Sequence, residues 1–135
     1  MRWFLVVVVV AVAVGFPGGA AAGWLLAGSG FGAAMAKTLG SGNVPSASVS
    51  GHKVTVTWTA SSYTNGGTAA GYVVRRYNAS TGVVQTIGSQ CSGTISALTC
   101  TENGVPAGSW RYTITPAAGT NWRGPESTKS AVVTV

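Results

Sequence analysis

The amino-acid sequence predicts an all-β domain of the β-sandwich type, and the clearest sign is residues 53–59. In this stretch Val54, Val56 and Trp58 alternate with three threonines. A period of two directs alternate side chains to opposite faces of a sheet, and β-branched residues and Trp suit a half-buried sheet surface. Thr, Ser, Gly and Val are frequent in the rest of the domain, and turn-forming residues recur between short apolar runs. Short strands at steady spacing with turns between them are typical of a sandwich.

Seven segments have this strand pattern. Pro45 lies at the start of the first segment, which suits an edge strand because proline cannot donate a hydrogen bond to a neighbouring strand. Asn65-Gly66-Gly67 supplies strong turn-forming residues to the loop after the second strand. The predicted strands are residues 44–50, 53–59, 71–77, 83–87, 98–102, 110–115 and 128–135. The side chains predicted to fill the core are Val56, Trp58, Tyr72, Val74, Trp110, Tyr112 and Ile114.

The first 22 residues predict an export signal. Arg2 is followed by the apolar residues 3–14, by the helix-breaking residues 15–19 and by Ala20-Ala21-Ala22, a small-residue cleavage site. Twelve apolar residues are fewer than the ~20 that a membrane-spanning helix needs. Residues 3–22 are nevertheless 20 residues long, so an uncleaved membrane anchor is the alternative. Both interpretations place the domain outside the cytoplasm, secreted or at the cell surface.

The remaining chain divides into a linker and a domain. Residues 23–43 are rich in Gly, Ala and Ser and predict a linker or a partly helical juxtamembrane segment. The domain is expected to span residues 44–135.

A family resemblance rests on residues spread over this domain. Trp58 falls where the family has a core Trp on its second strand, and Gly71-Tyr72-Val73-Val74 is similar to its third-strand pattern. In the family, a fifth strand, a Leu and a corner aromatic residue follow one another at a characteristic spacing. Cys100, Glu102, Val105 and Trp110 fall at this spacing. In these features residues 44–135 resemble a fibronectin type III domain of the kind carried by secreted bacterial proteins. The resemblance implies a seven-stranded immunoglobulin-like sandwich, a fold that hosts many functions.

One residue departs from the family's pattern. The corner residue of the family is usually a Tyr whose hydroxyl bonds back to the main chain. Trp110 occupies this position, so its indole N–H has to replace that hydrogen bond, or the bond is lost.

The two cysteines, Cys91 and Cys100, predict a disulfide, because a pair of cysteines in an exported chain is usually oxidised. The bond would close the loop between the fourth and fifth strands. Redox-active pairs are usually closer in sequence, and a metal site needs more ligands than the single His52 can add. We therefore expect no metal site and no cofactor.

The sequence lacks the acid–base groups of most enzymes. It contains no Asp, and its only carboxylate side chains are Glu102 and Glu126. A Ser-His-Asp triad cannot form, and His52 is expected in a solvated turn. Glu102 is expected to pair with an arginine such as Arg76 or Arg111. These features predict that the protein is not an enzyme.

The charge of the chain is strongly positive, with a formal net charge of +6. The basic residues are scattered rather than clustered, which favours a soluble basic domain over a nucleic-acid-binding protein.

The candidate binding site consists of residues in two loops. Tyr63 and Trp122 are large aromatic residues in segments of loop composition, and in this topology the two loops lie at the same end of the sandwich. They would meet there together with Asn65, Asn121 and Arg123, and loop aromatics with arginine are typical binding anchors. The alternative is that Trp122 folds back and caps the sandwich.

The predicted function is an exported, non-catalytic module that binds or acts as a spacer. Its partner would be an extracellular protein or an anionic or carbohydrate polymer of the cell envelope. The alternative is an accessory module of a polysaccharide-acting system, in which Trp122 and Tyr63 stack on sugar rings.

Overall fold

The computed structural model describes residues 37–135, which form an all-β domain. The predicted signal or anchor and most of the predicted linker, residues 1–36, lie outside the described residues. Within 37–135 no helix is long and apolar enough to cross a membrane. The strands are β1 (Ser46–Ser50), β2 (Lys53–Thr57), β3 (Gly71–Asn78), β4 (Val84–Gln85), β5 (Thr99–Glu102), β6 (Ser109–Ala118), β7 (Trp122–Arg123) and β8 (Val133–Thr134), with a 3₁₀ helix at Ser89–Cys91.

The strands form two antiparallel sheets that share one core, an arrangement consistent with a β-sandwich. The smaller sheet has the order β1-β2-β5. The larger sheet has the order β4-β3-β6-β7, and β8 pairs with the other end of β6. The longest pairing joins β3 to β6, from Gly71 opposite Ala117 to Asn78 opposite Trp110.

The core confirms the alternation predicted for the strands. Trp58 is 4% exposed and contacts Tyr72 edge to face, with 5.7 Å between the ring centroids. The phenol oxygen of Tyr72 in turn accepts a hydrogen bond of 3.0 Å from the main-chain N–H of Ser61. All seven residues predicted for the core are buried, and the same cluster includes Val54, Val105 and both cysteines.

The strand boundaries differ from the prediction, most clearly after β6. Strand β7 is additional to the seven predicted strands and lies inside a segment predicted as a loop. The predicted last strand, residues 128–135, is regular only at Val133–Thr134, which is β8. The reason is that serine hydroxyl groups take the place of main-chain carbonyls in the hydrogen bonds to β6. The hydroxyl oxygens of Ser127 and Ser130 accept the N–H groups of Ile114 and Tyr112, each at 3.0 Å. The N–H groups of the two serines donate back to the carbonyls of the same β6 residues.

The end of the predicted linker is part of the domain. Leu39 is 2% exposed, Gly40 N–H donates to the Ser62 carbonyl, and Gly42 N–H donates to the Pro125 carbonyl. The Asn43 side chain donates to the Ala60 carbonyl at 3.0 Å. Residues 37–43 were predicted to be linker because their composition is small and polar. These tertiary hydrogen bonds hold them against the loops instead.

The predicted disulfide is present between Cys91 and Cys100, whose Cα atoms are 5.5 Å apart. Cys91 ends the 3₁₀ helix and Cys100 lies on β5, so the bond closes the connection between β4 and β5. Both cysteines are buried in the core cluster.

A buried ion pair stabilises the same region. Arg76 on β3 pairs with Glu102 on β5, and their side chains are 7% and 2% exposed. The second Glu102 oxygen accepts the Tyr112 hydroxyl at 2.9 Å, and Gly88 N–H donates to the first at 2.7 Å. Desolvation by burial and the neighbouring Glu102 charge raise the pKa of Tyr112, so the phenol remains a proton donor. The prediction that Glu102 pairs with an arginine is confirmed.

The indole N–H of Trp110 makes a hydrogen bond to the main chain. Trp110 Nε1 donates a hydrogen bond of 2.9 Å to the Pro106 carbonyl, four residues upstream. Gly108 has a positive φ of 148°, and a Cβ there would be 3.2 Å from the indole ring. The Arg76 guanidinium lies 4.8 Å from the centroid of the same ring. Of the two alternatives that the sequence leaves open, the indole N–H therefore makes a hydrogen bond to the main chain.

Candidate binding site at one end of the domain

The two loop aromatics predicted to meet do so. The ring centroids of Tyr63 and Trp122 are 5.9 Å apart, and the rings are tilted by 56°. Trp122 is 46% exposed and Tyr63 is half-buried. Trp122 therefore rests partly on Tyr63 and presents the remainder of its surface to solvent.

The local sequence explains how each ring is held. Tyr63 N–H donates to the Gly67 carbonyl and Gly66 N–H donates to the Tyr63 carbonyl, which closes a tight turn. Gly66 and Gly67 both have φ of 89°, a conformation that favours glycine. Trp122 lies on β7, which pairs with the end of β6 after a short turn.

The segment that precedes β1 joins these two parts. Leu39 forms an isolated bridge with Tyr63, and Gly40 lies beside Gly124, the residue after β7. A Cβ at Gly124 would be 2.6 Å from the Gly40 carbonyl oxygen and 3.1 Å from Leu39 Cγ. Glycine at this position therefore allows the segment to lie between the turn that carries Tyr63 and the strand that carries Trp122.

The charge near the aromatic pair is positive. Lys37 Nζ lies 5.7 Å from the centroid of the Tyr63 ring. Neither of the chain's two carboxylate side chains is directed to this place. Glu102 is buried with Arg76, and Glu126 pairs with Arg75. A ligand that stacks on the aromatic rings would meet a cation and no side-chain anion.

The other predicted site residues are not part of the aromatic pair. Arg123 follows Trp122 on β7, and consecutive residues of a strand point to opposite faces. Its guanidinium donates to the Gly119 carbonyl at 3.0 Å and reaches Thr94 Oγ1 at 3.4 Å. Asn65 and Asn121 are exposed, and within residues 37–135 no hydrogen bond joins either side chain to Tyr63 or Trp122. Within residues 37–135 the structure thus shows the aromatic pair, with Arg123 on the other face of β7, and the prediction that all five residues form one binding site stays a prediction.

A cluster of polar side chains around Glu126 lies on the outer face of the larger sheet. Glu126 accepts hydrogen bonds from Tyr77, at 2.6 Å, and from Thr113, and it pairs with Arg75 at 3.4 Å. Burial by itself raises the pKa of the Glu126 carboxyl, but these hydrogen bonds, together with the charges of Arg75 and Lys129, hold it below its ordinary value. Burial and the hydrogen bond to Glu126 raise the pKa of Tyr77. The Glu126 carboxylate is thus an ionised structural group.

The described residues do not group ligands for a metal. Within 37–135 there is no cluster of three or more His, Cys, Asp or Glu side chains that could hold an ion. His52 is exposed in the turn between β1 and β2, where its Nδ1 pairs with the Val105 carbonyl at 3.0 Å. Glu102, the buried carboxylate, lies on β5 rather than in this turn.

Sequence reasoning missed two residues of this end. Lys37 was assigned to the linker, and its contact with Tyr63 depends on tertiary bonds of residues 38–42 that no local pattern signals. Thr94 lies in the connection before β5 and contacts Arg123 only because the Tyr72–Ile95 bridge holds that connection along β3.

A scan against protein-family models finds no match, and a search of curated proteins finds no significant relative.

Proposed function

We propose that this chain is an exported, non-catalytic fibronectin type III-like module that acts at the cell surface by binding. The observation that carries the proposal is the Tyr63–Trp122 pair, a half-exposed aromatic surface with a lysine beside it and no side-chain carboxylate. Exposed aromatics held by a rigid scaffold are typical anchors for a ligand.

The topology supports the family assignment within this proposal. A smaller sheet of β1, β2 and β5 faces a larger sheet of β4, β3, β6 and the last strands. This order resembles that of an immunoglobulin-like sandwich whose fourth strand has joined the larger sheet, which supports the proposal. The indole bond of Trp110 to the main chain supports it further, because it fills the place of the family's corner tyrosine.

Export is supported by the N-terminal sequence and by the disulfide. Residues 1–22 have the pattern of a signal, and Cys91–Cys100 is a bond that persists in oxidising compartments. The N-terminal residue of the mature protein tests this part. Gly23 would indicate cleavage and secretion, and Met1 would indicate an uncleaved anchor.

The ligand we favour is a carbohydrate polymer of the cell envelope, and the specific observation is that Trp122 is 46% exposed while it contacts Tyr63. An exposed aromatic ring that is held by a neighbouring ring can stack on the apolar face of a sugar. An accessory module of a polysaccharide-acting system would use the ring in this way. A protein partner is the competing outcome.

Binding to a panel of neutral and acidic envelope polysaccharides, measured by isothermal titration calorimetry, tests the proposal. We expect binding to at least one polymer, and we expect Trp122→Ala to weaken it about 30-fold, the effect of a 2 kcal/mol anchor. Val132→Ala, which removes another exposed apolar side chain, is the matched control and should bind like wild type. Failure of every polymer to bind, or equal binding by Trp122→Ala, would favour a spacer.

A further inference from the structure

The outer face of the larger sheet has a cleft at the end that carries β7. Its volume is about 350 Å³, and its walls include Thr94, Thr120 and Arg123. Ala117 and Gly71 lie in the same cross-strand row as Arg123, because Gly71 pairs with Ala117 and Ala117 pairs with Arg123. These two residues have almost no side chain and are buried, so they form a shallow floor.

The small residues of this row have a structural reason. Arg123 extends across the row until its guanidinium reaches Thr94 Oγ1 beyond β3. A Cβ at Gly71 would be 2.5 Å from Thr94 Cγ2, so glycine leaves room for the Thr94 side chain beside β3. The result is one exposed arginine that spans a shallow floor of main chain and methyl groups.

Within residues 37–135, no carboxylate side chain pairs with Arg123. The sequence has two carboxylate side chains. Glu102 is buried with Arg76, and Glu126 is held by Tyr77, Thr113 and Arg75. The recorded partners of the Arg123 guanidinium are uncharged oxygens, two main-chain carbonyls and one hydroxyl. A guanidinium has five N–H donors, and its planar fork matches a carboxylate.

We propose that this cleft is the subsite for the carboxylate of an acidic polysaccharide, with Arg123 as the residue that binds it. This inference rests on the proposed function and names the class of its ligand. The cleft is lined by glycine, alanine and threonine, so it has no deep apolar hole for the side chain of a peptide. The Thr94 and Thr120 hydroxyls in its walls suit the hydroxyl groups of a sugar. Trp122 and Arg123 are adjacent on an edge strand, so a polymer that crosses this edge can contact both.

The test compares an acidic oligosaccharide with its neutral counterpart. The probes are oligogalacturonate, the same oligosaccharide with its carboxyl groups reduced, and polyglutamate, each titrated calorimetrically at low ionic strength. For wild type we expect the acidic oligosaccharide to bind about tenfold more tightly than the reduced form. Arg123→Gln should remove most of this preference, leaving only the part that Lys37 and the net positive charge contribute, and should leave binding of the reduced form unchanged. Arg123→Lys should keep an intermediate preference, because an ammonium cannot form the two-bond fork.

The control is Arg75→Gln, which removes an exposed arginine from the same sheet face outside the cleft. It should retain the preference for the acidic form, and a melting curve should show that Arg123→Gln is folded. Equal binding of the acidic and reduced forms by wild type, or a preference as large in Arg123→Gln as in Arg75→Gln, would overturn the subsite and leave the proposed function intact. Tighter binding of polyglutamate, lost in Arg123→Gln, would assign the cleft to an acidic protein instead. Failure of all probes and of the whole polysaccharide panel would overturn both.

Discussion

Trp58 shows how one large side chain organises the core. It follows the last regular residue of β2, is 4% exposed and packs against Tyr72 of the opposite sheet. The two sheets are therefore held in part by one aromatic contact, so the stability of the domain should depend strongly on this residue.

We predict that Trp58→Ala lowers the free energy of unfolding by roughly 3–5 kcal/mol, because it leaves a cavity between the sheets. Chemical denaturation measures the effect. Thr59→Ala, a change at the exposed neighbour, should have almost none. A loss below about 1 kcal/mol for Trp58→Ala would mean that the ring is not a core residue.

Glu126 gives a prediction for the acid side of the pH range. Its pKa in the folded protein is below the ordinary value of 4.5, so its stabilising effect is complete above that value. The effect is lost as the pH falls through the lower, folded-state value. We predict that Glu126→Gln reduces the melting temperature at neutral pH and that the wild-type and variant curves approach each other as the pH falls below 4.5. A difference between the two curves that stays constant over this fall in pH would contradict the assignment.

At the scale of elements, two interactions hold the connection between β4 and β5 in place, a disulfide and a buried ion pair. The Cys91–Cys100 bond joins it to β5, and Gly88 N–H and the Thr86 carbonyl bind the Glu102–Arg76 pair. A covalent bond and a buried ion pair thus hold a segment that contains almost no regular structure.

We predict that the double variant Cys91→Ala and Cys100→Ala is destabilised by roughly 2.5–3 kcal/mol, as loop-closure entropy requires for such a short loop. Denaturation of the variant and of wild type, each with and without reductant, measures this value. Reductant should destabilise wild type only. Mass spectrometry of the unreduced protein that finds two free thiols would contradict the bond.

The final segment of the sheet depends on two serines. Because the hydroxyls of Ser127 and Ser130 accept buried N–H groups of β6, we predict that Ser127→Ala and Ser130→Ala each cost about 1–3 kcal/mol. Thr128→Ala changes an exposed residue between them and should be nearly neutral. Stability is again measured by denaturation, and hydrogen exchange of the Ile114 and Tyr112 amides should become faster in the variants. Unchanged exchange at both amides would refute the role of the serines.

At the scale of the whole molecule, the sequence predicts those features of the fold that are determined by the alternation of apolar and polar residues and by turn-forming residues. The strand at residues 53–57, the inward set of aromatics and the disulfide follow from local patterns that agree with one another. The regular extent of the last strand does not follow from such patterns, since Ser127 and Ser130 replace main-chain pairing with side-chain hydrogen bonds. Nor does the packing of residues 37–43, which have no strand pattern and are fixed by distant partners such as Ser62 and Pro125.

The candidate site was predictable in part for the same reason. Aromatics in segments of loop composition identify Tyr63 and Trp122, and the topology of a sandwich brings their loops to one end. The separation of Arg123 from Trp122 requires β7 to be a strand, and the segment around it reads as a loop. Lys37 and Thr94 reach the site through tertiary contacts alone.

The central claim is that this end of the domain, and not its sheet faces as a whole, binds the ligand. Chemical-shift mapping of the labelled protein with the tightest-binding polysaccharide tests it most directly. The account predicts shifts for the Trp122 indole, for the amides of residues 62–67 and 119–123 and for Thr94, with β1 and the outer face of β2 unchanged. Shifts concentrated on β1 and β2, or no shifts at a concentration that saturates binding in calorimetry, would contradict it.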